Sequence, residues 1–132
     1  MRISKFNDFE KINEEVKLSK VAKREEYEGY TILIGRNAAM NDILTTEIAE
    51  PNDIWLHASG VPGSHVVIKS KNEDIPKNII NKAAELAAIN SRGTGKIKVV
   101  YTKAKNVIKK SGHNVGEVQV DYDKSNFITK YI

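Results

Sequence analysis

Asp53-Ile54-Trp55-Leu56-His57-Ala58-Ser59-Gly60-Val61-Pro62-Gly63-Ser64-His65-Val66-Val67-Ile68-Lys69 reads as two β-strands joined by a turn. Its arms alternate or carry β-branched residues, and Pro62-Gly63 suits the centre of a type II turn. With Ser59 to Gly63 as the loop, Ala58 faces Ser64, His57 faces His65, Trp55 faces Val67 and Asp53 faces Lys69. Side chains alternate along a strand, so the last three pairs share one face. Ile54, Leu56, Val66 and Ile68 form the other, core-facing side. The only Trp and two of the three His are thus expected together on the face that the core does not need. Function is sought there first.

The 132 residues suffice for one domain with a hydrophobic core of its own. The absence of Cys excludes disulfides and thiolate metal sites and fits a reducing compartment. Met1 to Glu15 are mixed in charge, without the apolar run of a signal peptide, and no stretch reaches the length of a membrane span. A soluble, cytoplasmic protein with no membrane partner is expected. The net charge of +4 is unevenly spread: residues 1–50 hold 8 basic and 10 acidic side chains, residues 51–132 hold 13 and 7. Between Glu85 and Glu117 there is no acid, while Arg92, Lys96, Lys98, Lys103, Lys105, Lys109 and Lys110 accumulate. Such a segment is either the footprint of a polyanion partner or a solvated lysine-rich surface.

Around the hairpin, residues 1–18 space Phe6, Phe9, Ile12, Val16 and Leu18 as a short amphipathic helix or an irregular arm. Lys20 to Tyr27 and Tyr30 to Gly35 read as a hairpin turning at Glu28-Gly29. Gly35-Arg36-Asn37 breaks the second strand, and a short helix over about Ala38 to Thr46 follows, with Asn41-Asp42 as a cap or turn. Pro76 starts the main helix, about 76–91, whose stripe is Ile79, Ile80, Ala83, Leu86 and Ala87, with Gly93 as its stop. Ile97 to Tyr101 is a strand, and Thr102 to Gly116 a basic loop. Glu117 to Tyr122 and Phe127 to Tyr131 form a closing hairpin. The fold expected is α+β: a mixed, largely antiparallel sheet with the helix on one face, in a single domain over 1–132.

An enzyme built on Asp53, His57 and His65 meets a geometric obstacle. Asp53 and His57 are four residues apart on one strand, about 13 Å at ~3.3 Å per residue. His57 and His65 alone are too few for a catalytic zinc, which takes three protein ligands. Ser64 and His65 are adjacent, point to opposite faces, and cannot act as nucleophile and base. No phosphate-binding or dinucleotide fingerprint is present, and Gly93-Thr94-Gly95-Lys96 is too short for one. No cofactor is expected. Trp55, by contrast, offers either a face on which an unpaired base stacks, flanked by two imidazoles, or a ring half-buried beneath the N-terminal arm. Arg36 is either a solvated loop arginine or a phosphate ligand beside a glycine. The loop Ser111 to Gly116 presents backbone amides able to meet phosphate.

At Gly35-Arg36-Asn37 with Asn41-Asp42, at Asp53-Ile-Trp-Leu-His57 and at Pro62-Gly-Ser-His65, the sequence resembles the RNA-binding domain of the NFACT family. That domain was once catalogued as one of unknown function in fibronectin-binding-protein-A-like proteins. The Ala83–Ala88 helix, Val100-Tyr101-Thr102-Lys103 and Val107-Ile-Lys109-Lys110 continue the match in family order over about residues 29–120. The resemblance implies a nucleic-acid-binding module tied to ribosome-associated quality control, with rRNA or tRNA on the large subunit as partner. In long members an N-terminal domain and a coiled coil precede it; this chain is expected to be a stand-alone copy. Where the family has Lys-Pro-Lys-Gly…Pro-Gly, it has Lys109-Lys110-Ser-Gly112…Val115-Gly116, without either proline.

The function expected is RNA binding without catalysis. Arg36, Lys103, Lys105, Lys109 and Lys110 would contact phosphate, and Trp55, His57 and His65 would form the platform. Asn37, Asp53 and Ser64 join the site through the family motif. Alternatives are a protein-interaction module using the Trp/His face and, third, a metal-dependent hydrolase.

Overall fold

The structure, a computed structural model, describes residues 17–132; the helix or arm expected at 1–18 falls almost wholly outside them. Strands β1 (Ala22–Tyr27) and β2 (Tyr30–Gly35) are followed by helix α1 (Ala38–Ile43) and a π-helical turn, Leu44–Ile48. Then come β3 (Ile54–Ala58), β4 (Val66–Ile68), helix α2 (Lys77–Ile89) and β5 (Lys96–Lys103). A 3₁₀ turn, Ala104–Asn106, leads to β6 (Val107–Ile108), β7 (Gln119–Val120), a second 3₁₀ turn, Tyr122–Lys124, and β8 (Asn126–Tyr131). The main sheet runs β1-β2-β4-β3-β5-β8, with β6 and β7 as a separate pair. Every pairing is antiparallel, so the fold is the expected α+β class.

The hairpins obey their sequences. Glu28 (φ 47°) and Gly29 (φ 85°) turn β1 into β2, as a two-residue turn with both central φ positive requires. β3 and β4 pair Trp55 with Val67 and Leu56 with Val66, the register counted from the sequence. The turn itself differs. The positive φ lies at Gly60 (78°) rather than Gly63, so Pro62-Gly63 is not a type II turn. Gly63 instead forms a bridge to Ser91 beyond α2, and a Cβ there would come within 2.9 Å of the Ser91 Cα. The small residue is needed for that close approach.

Helix α2 lays Ile79, Ala83, Ala84, Leu86, Ala87 and Ala88 on the sheet against Ile32, Leu56, Val66, Ile68 and Val99. It ends at Asn90, ahead of the expected stop at Gly93. The opposite face is covered too. Leu33, Trp55, Val67 and Val100 are buried there with Val21, Ala22, Leu44, Ala104 and Val107. The face expected to be open carries a second core.

The C-terminal third also departs from expectation. β5 runs on to Lys103, and the basic loop contains the Ala104–Asn106 turn and β6. The closing hairpin does not form: β7 pairs with β6, and β8 pairs with β5 at the edge of the main sheet. Alternating Ile128 and Lys130 face inward while Phe127, Thr129 and Tyr131 stay exposed, a half-buried edge strand completing the larger sheet.

Candidate nucleic-acid interface

Trp55 is 1% exposed and His65 2%, so neither ring is a platform for a base. The cause is the second core, which encloses both. Thr45, on the π-helical turn, links them: the Trp55 indole Nε1–H donates to Thr45 Oγ1 at 3.0 Å, and Thr45 Oγ1 lies 2.7 Å from His65 Nδ1. The one hydroxyl thus bridges the indole and the imidazole, with Nδ1 as donor or acceptor according to the His65 tautomer. Burial, aided by neighbouring His57, lowers the His65 pKa from 6.5 to about 4. Burial also lowers that of His57, against the pull of the Gly63 backbone. The rings of Trp55, His57 and His65 pack at centroid distances of 5.1–5.9 Å. Of these three rings only that of His57, half-buried, is open to a partner.

The remaining motif residues are structural for visible reasons. Asp53, fully buried, accepts from the backbone N–H groups of Glu50 and Ser70 at 2.8 Å each and from Lys69 Nζ at 2.5 Å. A buried carboxylate is tolerable when so satisfied. Asn41 is not a cap; Asn37 is, accepting from the Met40 N–H at 2.9 Å. The Asn41 amide ties α1 to the hairpin, donating to the Gly63 carbonyl at 3.2 Å and accepting from the His65 N–H at 3.0 Å. A Cβ on Gly35 would stand 1.9 Å from Asn41 Oδ1, which is why a glycine ends β2. The Ser64 hydroxyl donates to the Gly35 carbonyl at 2.8 Å.

Lys109 is also engaged. Its ammonium lies 3.2 Å from Asp42 Oδ2, donates to the Glu117 carbonyl at 2.8 Å, and bonds the Asn114 carbonyl. The Gly116 N–H donates to the same Asp42 oxygen at 3.0 Å. The loop after β6 is thus clamped onto α1 by a lysine expected to meet phosphate. Lys110 is exposed.

These clamps shape a groove of about 580 Å³. Arg36 and Asn37 form one wall, and Asn90, Ser91 and Arg92 another. His57, Pro62, Gly63 and Ser64 form the floor, with Val115 and Gly116 at one end. Among the described residues no carboxylate lines it, and both arginines are exposed. Arg36 is steadied by its Nε–H, which donates to the Ser19 carbonyl at 2.9 Å. The Arg92 N–H donates to the Pro62 carbonyl at 2.9 Å. Guanidinium groups, amides and hydroxyls around a channel without anions are the donor set that binds phosphate.

Of the sequence-derived candidates, the structure brings Arg36, Asn37, His57 and Ser64 to this groove. Lys103 lies elsewhere, in a depression with Glu73 and Asp74, and Lys105 in another with Asp121, Asp123 and Lys124. Arg92 marks the start of the acid-free run but is brought to Arg36 by long-range contacts of Pro62, Gly63 and Ser64 with residues 90–92, which no local pattern announces. His57 and His65 are 5.2 Å apart between ring centroids. Among the described residues no three His, Cys, Asp or Glu side chains gather where they could hold a metal ion, and no helix is long and apolar enough to cross a membrane.

The profile of the NFACT protein RNA-binding domain matches residues 20–121. The chain is 41% identical over 107 residues to the Rqc2 homolog RqcH of Bacillus subtilis strain 168, covering 80% of this chain and 18% of that protein. To the Rqc2 homolog RqcH of Streptococcus suis it is 38% identical over 119 residues, covering 83% and 21%. The ribosome quality control complex subunit 2 of Schizosaccharomyces pombe is 34% identical over 67 residues, or 49% of this chain and 7% of that protein. Among solved structures, the C-terminal part of the fibronectin/fibrinogen-binding protein from Streptococcus suis superposes with a TM-score of 0.75. It is 32% identical and covers 85% of this chain and 45% of that one. The chain spans about a fifth of the length of the bacterial relatives.

Proposed function

The chain belongs to the family of NFACT protein RNA-binding domains, and from that premise we propose that it binds ribosomal or transfer RNA on the large subunit, in the cytoplasm, as part of ribosome-associated quality control. It does so without catalysing a reaction. The observation that carries the reading is the carboxylate-free groove between Arg36 and Arg92. The two guanidinium groups lining it can each grip a phosphate through paired N–H donors, while Asn37, Asn90 and Ser91 offer weaker polar contacts. The walls are tied by backbone bonds across the Gly63–Ser91 bridge and from Arg92 to Pro62, so little order has to be gained on binding. The names of the relatives, Rqc2 homolog and ribosome quality control complex subunit, support the ribosome as the setting.

The test is titration of the full chain with tRNA and with rRNA fragments at low and moderate salt. Binding that weakens with salt and is lost on replacing both arginines supports the reading. No binding to any RNA at low salt removes it.

A further inference from the structure

Beyond the groove, one end of the sheet is left uncovered by the described residues, and we propose that it is a stacking surface for single-stranded RNA, formed by Tyr122, Phe127 and Tyr131 with Lys96 and Lys98. The proposal rests on the RNA-binding reading and extends it to residues mostly beyond the segment that the family profile matches, 20–121.

The rings are exposed by 57%, 42% and 75% respectively. Those are high values for aromatic side chains in a chain with only nine of them. Tyr122 and Phe127 lie parallel, 2° between planes and 6.2 Å between centroids. Lys98 Nζ sits 4.8 Å from the centroid of the Phe127 ring. Cross-strand partners share a face, so the register Val100↔Phe127, Lys98↔Thr129 and Lys96↔Tyr131 places rings and ammonium groups side by side. Successive bases can stack on the rings while the lysines follow the phosphates. The carboxylates of Asp121 and Asp123 flank Tyr122 in the chain. Beside a stacked base a carboxylate can accept from an exocyclic amine, as it does from cytosine N4 in a groove.

The surface and the arginine groove share one face of the sheet, with buried Val100 between them. His57 pairs with Val100, which pairs with Phe127, so the three form one row across β3, β5 and β8. A cavity of about 230 Å³ lies along that row, lined by His57, Val100, Glu117 and Tyr122 among others. His57 borders both this cavity and the groove, and Tyr122 borders both the cavity and the aromatic end. The lysines beside the rings favour RNA over a protein as the occupant.

The probes are single-stranded oligouridylate and oligoadenylate carrying 2-aminopurine, and a duplex RNA of equal charge, bound to the full chain. Phe127→Ala with Tyr131→Ala is expected to weaken single-strand binding by roughly tenfold or more per lost base stack and to abolish the quenching of 2-aminopurine. Duplex affinity and salt slope should stay unchanged. Phe127→Leu with Tyr131→Leu, which keeps apolar bulk without the rings, should lose binding equally, provided melting shows it folded. Unchanged single-strand affinity and quenching in the folded variants would overturn the proposal while leaving the groove in place. Wild-type chain that binds no RNA at all would instead remove the RNA reading beneath it. A wild-type dimer that either variant dissociates, with RNA affinity intact, would make the surface a contact between copies and likewise overturn it.

Discussion

Lys109 Nζ stands 3.2 Å from Asp42 Oδ2, and through that pair the loop after β6 is held against α1. A lysine in a basic run is ordinarily a solvated charge, yet this one has a carboxylate and two carbonyls as partners. Its neighbour Lys110 is exposed. The two lysines should therefore respond differently to removal. Lys109→Ala is expected to cost about 1–2 kcal/mol by leaving part-buried polar groups unpaired, and to speed hydrogen exchange at the Gly116 amide. Lys110→Ala should leave both unchanged. Equal effects on exchange would remove the clamp.

The arginine groove predicts a salt signature. Each phosphate contact on a single strand contributes about 0.7 to the slope of log affinity against log salt. Arg36→Ala with Arg92→Ala should flatten that slope by roughly 1.4 if each arginine holds one phosphate. Titration at several salt concentrations measures it; an unchanged slope would place the RNA elsewhere.

Thr45→Val tests the link inside the second core. The substitution keeps the shape but strands the Trp55 indole N–H and His65 Nδ1, both bonded now to one hydroxyl. A loss of about 2–3 kcal/mol is expected from urea unfolding, since each buried group left unpaired costs roughly 1–3 kcal/mol. A loss below ~0.5 kcal/mol would mean the hydroxyl does little for the fold.

Acid should weaken the fold through the same site. The His65 pKa is lowered from 6.5 to about 4 by burial, and burial lowers that of His57 as well. A depressed histidine pKa means that the unfolded chain takes up the proton first. The associated stability is present above pH 6.5 and is lost as pH falls toward 4, with a slope of at most about 1.4 kcal/mol per pH unit for each histidine. Unfolding free energies measured across that window should fall in the wild type and fall less steeply in His65→Gln. Parallel curves would show that His65 is not the group responsible.

Gly35→Ala should be severe for a reason of space rather than backbone freedom. The added Cβ would stand 1.9 Å from Asn41 Oδ1, the oxygen that accepts from the His65 N–H. Displacing it is expected to lower the melting temperature by several degrees, as ~1–3 kcal/mol does in a chain of this size. A melting temperature within about 1 °C of wild type would show that α1 can move aside without cost.

What was legible in the sequence followed from periodicity. The two-residue period gave the Trp55–Val67 register, and the helical stripe from Ile79 to Ala87 set the face of α2 that packs. The burial of Trp55 was not legible in the same way. Its cover comes from short irregular pieces, the turns at Leu44–Ile48 and Ala104–Asn106 and the pair β6–β7, too brief to show a period. The Arg36–Arg92 groove was hidden for a related reason. Its walls meet through contacts distant in sequence, the Gly63–Ser91 bridge and the backbone bonds beside it. The closing hairpin failed because a strand signal does not name its partner, and β8 found the longer edge of β5.

The groove draws its lining from residues 36–41, 57–64, 90–92 and 115–116, four stretches scattered along most of the described chain. No fragment ending before Gly116 contains all of its walls. During synthesis the groove is therefore completed only after Gly116 has emerged and its N–H has docked on Asp42.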